Sequence, residues 1–326
     1  MSGNGHGIKV FSGRNTKGMA QRVCDHLGTP LGGARTSLFP DGEVLVKLDD
    51  DVRGRDCYVI ISTCSPVNEN LMELLIFCDC LRRASAKQIT LVVPYFGYGR
   101  QDRKDEGRVP ITAKLVANLI TAANADRVVA LDLHAAQIQG FFDLPVDHLS
   151  ATPVFFEHFM KRRDELGDLC LVSPDVGNVK VAESMANLLG AEMAIINKRR
   201  ITGSAVETGN LIGEVDGKTV LMFDDMISTG GTVIKAAELV RANGATHVIA
   251  AATHGVLAGS AMDNFSGPEV DEIVITDTIP TEGRCDAIAH KMTVLSVGEL
   301  LGEAIKRIHE DRSISELFRD TAGTKR

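Results

Sequence analysis

Short apolar runs alternate with helically spaced ones along most of the chain. Residues 57–62 (CYVIIS) read as a buried strand, and 70–81 follow with Leu71, Leu74, Leu75, Cys78 and Leu81 on one helical stripe. Residues 89–96 (ITLVVPYF) predict the next strand. Residues 112–123 predict a helix with Leu115, Val116, Leu119 and Ile120 on one face, and 127–133 another strand. The order then repeats: helix near 153–163, strand 169–172, helix 179–189, strands 192–196 and 220–223, helix 233–242, strands 247–251 and 272–276. Such alternation implies an α/β fold, with parallel sheets covered by helices. The boundary is expected near 149–153, giving domains 1–150 and 151–326 with the same rhythm but no strong sequence repeat. A final helix over 297–308, apolar at 297, 300, 301, 304, 305 and 308, is assigned to the second domain and needs a surface to cover.

Composition narrows the class. A chain of 326 residues fits two domains, at about 150 residues each. With 44% apolar and 24% charged residues it is an ordinary globular composition, and the absence of Trp makes the core aliphatic. A net charge of −8 argues against a protein that coats nucleic acid. No apolar run approaches the roughly 20 residues of a membrane helix. The opening MSGNGHG has neither a basic nor an apolar signal region, and its glycines follow no strand, so they make no dinucleotide fingerprint. The seven cysteines include no C-x-x-C pair, and Cys78 and Cys80 cannot share a helix face. Reduced thiols in a cytoplasmic protein are the expectation.

The densest chemistry lies in 220–240, VLMFDDMISTGGTVIKAAELV. An apolar strand runs into Asp224 and Asp225, and ligands of open parallel sheets bind beyond the carboxyl ends of strands. The loop 228–232 then opens a helix, whose N-terminal N–H groups and dipole suit a phosphate. Gly230 and Gly231 let the backbone approach closely, and Ser228, Thr229 and Thr232 add hydroxyl donors. The carboxylates would repel that phosphate, so they face hydroxyl groups or a divalent cation. A sugar phosphate satisfies both ends. A plain helix cap needs one such residue, not the whole set, and the Walker pattern is absent.

This stretch resembles the phosphoribosyl diphosphate loop of the phosphoribosyltransferase superfamily. Further motifs choose a branch: FPDGE at 39–43, YFGYGRQDR at 95–103, DLHAAQIQGFFDLPVD at 132–147, SPDVGNVK at 173–180 and NKRR at 197–200. In this order and spacing, from about 9 to 318, they resemble ribose-phosphate diphosphokinase, the phosphoribosyl diphosphate synthetase family. The resemblance implies two phosphoribosyltransferase-like domains, each a mainly parallel sheet flanked by helices. It implies transfer of the diphosphoryl group of ATP to the 1-hydroxyl of ribose 5-phosphate, with Mg²⁺, leaving AMP. It further implies a product that feeds nucleotide, histidine and tryptophan biosynthesis.

Site residues carry over motif by motif. Lys198 and Arg200 match the mobile catalytic loop, where fixed cations stabilise charge developing in the transition state. Phe39, Asp41, Gly42 and Glu43 match the adenine segment, and Arg100 and Gln101 the ATP pair. Asp41-Gly42 also reads as a hairpin turn whose tip, in the family, reaches a neighbouring subunit's ATP; the resemblance thus implies a homo-oligomer, usually a hexamer. His134 and Asp175 match positions around Mg²⁺ and ATP, Asp175 being the easier metal ligand because Mg²⁺ prefers oxygen. Asp132, Asp143 and Asp147 either join a metal site or only cap and solvate. Arg200, Asp224, Asp225, Ser228, Thr229, Gly230, Gly231 and Thr232 match the ribose 5-phosphate site.

Departures bear on turnover and control. Ser228 replaces an aspartate common in the loop, and 201–204 (ITGS) replaces a segment containing proline and asparagine. Arg53, Ser85, Ser313, Ser315 and Phe318 match the phosphate/ADP effector site, but Asp51 stands where serine is usual. A carboxylate there repels phosphate and ADP, so weakened phosphate activation is expected. Two other functions compete. A non-catalytic regulatory homologue would lose catalytic residues or gain insertions. A nucleotide-forming phosphoribosyltransferase would not need FPDGE or RQD.

Overall fold

The computed structural model describes residues 7–174, 179–197, 200–202, 205–206 and 209–318. Asp175 and Lys198 lie outside them. The chain divides into two compact units, 1–151 with 278–280 and 296–317, and 152–277 with 281–295 and 318–326.

In the first unit β1 (Ile8–Ser12) leads into α1 (Lys17–Leu27) and a hairpin of β2 (Ala34–Leu38) and β3 (Val44–Leu48). Then come β4 (Asp56–Ile60), α2 (Val67–Arg83), β5 (Gln88–Val93), α3 (Thr112–Ala122), β6 (Arg127–Leu131) and β7 (Val146–Leu149). The main sheet runs β1-β4-β5-β6-β7, parallel throughout, so each new strand is added on the same side. Every residue of β4 is buried, as a strand covered by helices on both faces requires. The core gathers Phe11, Leu74, Phe77, Ile89, Leu91, Val116 and Ile120. Two strands stop earlier than their apolar runs predict. β5 ends before Pro94, which cannot donate to the ladder, and β6 ends before Asp132, whose φ is +37°.

In the second unit α4 (Thr152–Lys161), the short α5 (Arg163–Leu166) and β8 (Leu169–Ser173) precede α6 (Val179–Leu189) and β9 (Glu192–Asn197). A small hairpin of β10 (Arg200–Thr202) and β11 (Ala205–Val206) leads to β12 (Asn210–Ile212) and β13 (Thr219–Ile227). The unit continues with α7 (Gly231–Ala242), β14 (His247–Gly255), α8 (Ala261–Phe265), β15 (Glu272–Thr276) and β16 (Met292–Leu295). Its sheet order is β12-β9-β8-β13-β14-β15-β16, with β12 antiparallel at one edge. From β8 the chain builds outward to β9 and β12, then returns to place β13 on the other side. Strand order therefore reverses between β8 and β13, the position where open α/β sheets form a ligand crevice.

The last helix, α9 (Gly298–His309), corrects the domain assignment of 297–308: it packs in the first unit, against α1. Its stripe buries Leu301, Ala304 and Ile305, a large aliphatic side chain being worth about 1.5–3 kcal/mol when buried. Close approach needs glycine, since a Cβ on Gly302 would stand 2.8 Å from the His26 ring. Polar contacts fix the register: Arg22 Nε donates to Ser296 Oγ at 2.8 Å, and His309 Nδ1 meets the buried Asp56 carboxylate at 2.8 Å.

Candidate active site

Asp224 and Asp225 lie inside β13 rather than after it, because pairing with β14 continues through Asp224↔Ala252 to Ile227↔Gly255. Pairing with β8 stops at Met222↔Val172. Both carboxylates, half-buried, thus stand past the end of β8 at the reversal of strand order. Asp224 accepts the Asp225 N–H at 2.9 Å, which holds its carboxylate close to the backbone.

The loop 228–232 is tied down from behind. The Ser228 carbonyl accepts Ala258 N–H at 3.1 Å, and the Thr229 carbonyl accepts Asn264 Nδ2 at 2.8 Å. Gly230 has φ +79°, and a Cβ there would stand 2.4 Å from the ring of Phe265, which is fully buried. That contact leaves no room for a side chain and explains the glycine. No side chain caps α7, whose first turn begins at Gly231. With the loop carbonyls engaged behind, the leading N–H groups of α7 and the exposed Thr229 and Thr232 form an anion-accepting end beside a carboxylate pair.

In the first unit the ATP candidates gather after β5 and β6. Arg100, Gln101 and His134 are all exposed. Their loops touch: a Cβ on Gly99 would lie 3.8 Å from His134 Cβ, and Gln137 Nε2 donates to Asp102 Oδ2 at 2.8 Å. Gln101 does structural work as well, its Oε1 accepting the Thr112 hydroxyl at 2.5 Å at the start of α3. The FPDGE tip is an exposed turn between β2 and β3, closed by Gly42 N–H to Phe39 O and Phe39 N–H to Glu43 O, both 2.8 Å. Gly42 has φ +92°, and Asp41 accepts the Glu43 N–H at 3.2 Å. Phe39 is 47% exposed, so a large aromatic face is presented outward from the hairpin.

The three ambiguous carboxylates of 132–147 have partners within the fold. Asp132 accepts Ala151 N–H at 2.9 Å, Asp147 pairs with Arg127 at 2.5 Å, and Asp143 lies 3.9 Å from Lys114. Among the described residues no group of three His, Cys, Asp or Glu converges as a metal cage. Four of the cysteines are kept as thiols by burial, which pushes Cys57 and Cys78 up to about 12 and Cys24 and Cys170 to about 11. Arg200 opens β10, whose backbone pairs with β11. At the effector candidates, Arg53 Nη1 donates to Ser85 Oγ at 3.1 Å and Asp51 accepts the Arg53 N–H at 3.0 Å, so these three residues form one cluster. Ser313 and Ser315 follow α9; the Ser313 carbonyl accepts Arg307 Nη1 at 2.9 Å, and a 3-10 turn spans Ser315–Phe318. His148 carries no local motif and the sequence reading passes over it. It accepts the Leu133 N–H at 2.9 Å, one residue before His134. Burial holds its pKa below the ordinary histidine value, against the raising effect of Asp132.

A mainly parallel sheet reversing beside a glycine- and hydroxyl-rich helix start defines the class, an α/β protein with its candidate ligand crevice at the strand-order reversal. Comparison with known proteins narrows it. The N-terminal domain of ribose phosphate pyrophosphokinase matches residues 8–123, and the phosphoribosyl synthetase-associated domain matches 206–319. The ribose-phosphate pyrophosphokinase of Rhodopirellula baltica is 54% identical over 96% of this chain and 99% of its own. That of Thermotoga maritima is 49% identical over 96% and 98%. The crystal structure of phosphoribosylpyrophosphate synthetase from Mycobacterium smegmatis superposes with a TM-score of 0.86 at 41% identity, covering 93% of this chain and 99% of that one. The chain belongs to the ribose-phosphate pyrophosphokinase family. It is therefore an enzyme, a transferase of nucleotide biosynthesis. Among the described residues no helix is long and apolar enough to cross a membrane.

Proposed function

We propose that the chain transfers the diphosphoryl group of ATP to the 1-hydroxyl of ribose 5-phosphate, yielding 5-phospho-α-D-ribose 1-diphosphate and AMP. The observation that carries this reading is the half-buried Asp224–Asp225 pair at the strand-order reversal, beside the glycine-backed start of α7. The 5-phosphate is held by the N–H groups and hydroxyls of 228–232, and the ribose hydroxyls donate to the two carboxylates. This leaves the anomeric oxygen as the reacting atom. It forms a bond to the β-phosphorus as the bridge between the α- and β-phosphates breaks. The bridging electrons leave with AMP, and the hydroxyl proton is released. Such transfers depend on alignment and charge neutralisation, which Lys198 and Arg200 supply over the transferring group.

Arg100, Gln101 and His134 hold the ATP phosphates, and Phe39, Asp41, Gly42 and Glu43 hold adenine from a neighbouring subunit of a homohexamer. An aromatic face suits base stacking, and a carboxylate accepts from the exocyclic amine. Mg²⁺ fits this donor set. The ion keeps several waters and binds through one or two protein groups plus substrate phosphates rather than a full cage. Asp175 and His134 would hold it, and it would neutralise charge on the ATP phosphates. Inorganic phosphate and ADP act at Asp51, Arg53, Ser85, Ser313, Ser315 and Phe318, in a cytoplasmic enzyme whose product also serves histidine and tryptophan synthesis.

The test is ³¹P NMR of purified protein with ATP, Mg²⁺ and ribose 5-phosphate. AMP together with a new diphosphate ester on ribose C1 is expected. No product, with or without added phosphate, would overturn the reading in favour of a non-catalytic homologue, with Ser228 and the 201–204 segment the first suspects.

A further inference from the structure

The turn that carries His134 is tied to one strand and the residues after it. Asp132 sits at φ +37°, a conformation non-glycine residues avoid, at a cost of about 1–3 kcal/mol. Contacts to β7 and the residues after it help hold it there. Asp132 N–H donates to the Leu149 carbonyl at 3.0 Å, Asp132 Oδ2 accepts Ala151 N–H at 2.9 Å, and Leu133 N–H donates to His148 Nε2 at 2.9 Å. All three partners lie in β7 or just beyond it. The Leu133 side chain is buried, so the segment is anchored from both its backbone and its side chain.

His148 is the unusual member. To accept a backbone N–H at Nε2 its ring must be neutral, with the proton on Nδ1. That second nitrogen lies 3.2 Å from Gln139 Nε2, itself a donor that is given to the Ala136 carbonyl at 2.9 Å, so the two are packed together without a hydrogen bond; Gln139 belongs to the 3-10 turn Ala136–Phe141 just after His134. One half-buried imidazole therefore touches the backbone before His134 and the turn after it. A backbone N–H needs only an acceptor, and a carbonyl is the usual one. A side-chain ring that accepts the N–H next to an exposed functional residue fixes the backbone on that side of it.

We propose that His148 is a positioning residue for the reaction: its neutral ring sets the backbone at Leu133 and so the placement of His134 against the phosphates of ATP. The inference rests on the reading of His134 as an ATP contact. Groups that orient a contacting residue typically contribute about 10- to 100-fold in affinity or activity when removed.

The experiment is steady-state kinetics of the full-length protein with Mg²⁺-ATP and ribose 5-phosphate varied separately. The variants are His148→Leu, His148→Asn, His148→Gln and His134→Ala, each also assayed for thermal unfolding. His148→Leu is expected to lower kcat/KM for ATP about 10- to 100-fold, with KM for ribose 5-phosphate unchanged within about twofold. His148→Gln, whose amide oxygen reaches the place of Nε2, restores most of the loss. His148→Asn, whose oxygen falls short of it, does not, and it serves if the leucine variant fails to fold. In a His134→Ala background, the change at 148 adds no more than about twofold, because both act through one contact. A fall that strikes both substrates alike and follows the loss of folded protein would overturn the proposal. So would equal behaviour of the Gln and Asn variants. If His134→Ala weakens ATP use and the 148 variants do not, the positioning role alone fails. If His134→Ala leaves ATP kinetics intact, the reading of His134 fails and takes the proposal with it.

Discussion

The two units share a rhythm of strands and helices but differ in how their sheets grow. The first adds β4, β5, β6 and β7 on one side of β1, so no pair of neighbouring strands diverges to open a crevice. Its functional candidates instead sit on touching loops after β5 and β6 and on the β2–β3 turn. The second unit reverses direction between β8 and β13, and the carboxylate pair and the glycine- and hydroxyl-rich loop 228–232 stand at that break. The difference teaches that a duplicated architecture need not duplicate a site. On the proposed reading, one unit holds a compact sugar phosphate in a crevice and the other reaches an extended nucleotide with loops.

The sharpest way to break this division is at Asp224 and Asp225. Changing both to Asn should lower kcat/KM for ribose 5-phosphate by about 100-fold or more, hydrogen bonds to charged groups being worth about 1.5–3 kcal/mol each. KM for ATP should hardly move; an equal effect on both substrates would dissolve the comparison. The mirror experiment is Arg100→Ala. Steady-state kinetics should show KM for ATP rising by about 10- to 100-fold, while use of ribose 5-phosphate at saturating ATP stays near wild type.

Gly230→Ala probes the crevice without touching a charge. The new methyl would meet the Phe265 ring at 2.4 Å from a backbone at φ +79°. Overpacking typically costs about 1–3 kcal/mol. Thermal unfolding should shift down and KM for ribose 5-phosphate should rise, with KM for ATP spared.

A fourth prediction concerns pH. His158, in the second unit, has its pKa lowered first by burial and then by Arg162, whose Nη1 lies 3.2 Å from its Nε2, with Glu272 opposing. The unfolded chain therefore binds this proton more readily than the folded one. Stability is full above the ordinary histidine pKa, about 6.5, and falls as pH drops toward the lowered folded value. Unfolding midpoints between neutral and mildly acidic pH should show that fall, and His158→Gln should flatten it.

The smallest effect is expected at the effector cluster. Asp51→Ser removes a negative charge beside Arg53 while keeping an acceptor for the Arg53 N–H. Activation by inorganic phosphate should strengthen by up to about fivefold, the range of an exposed charge contact. An unchanged phosphate response would remove Asp51 as the cause of weak activation.

How far this arrangement was legible depended on whether a feature was local. The apolar runs of β4, β8 and β15 and the stripe of α6 announced themselves, because each element's burial is written in its own residues. β13 was expected to stop at Phe223, since DDM reads as polar loop. It continues because β14 pairs with it on one side, a fact no local pattern holds. Strand order is non-local in the same sense, so the reversal at β8 and β13 was invisible even though the carboxylates it positions were not. The stripe at 297–308 called for a surface without naming one, and glycines at 298 and 302 fitted it to α1. His148 escaped notice because a lone histidine in a half-buried strand has no motif. Its meaning lies in the Leu133 N–H it accepts.

The division between the units is tested most directly by ³¹P NMR of ribose 5-phosphate binding to the full chain, comparing the Asp224→Asn/Asp225→Asn variant with Arg100→Ala. The 5-phosphate resonance should shift and broaden with wild type and with Arg100→Ala, and stay at its free position with the aspartate variant. Loss of the shift in Arg100→Ala, with binding retained in the aspartate variant, would contradict the account by moving the sugar phosphate out of the crevice in the second unit.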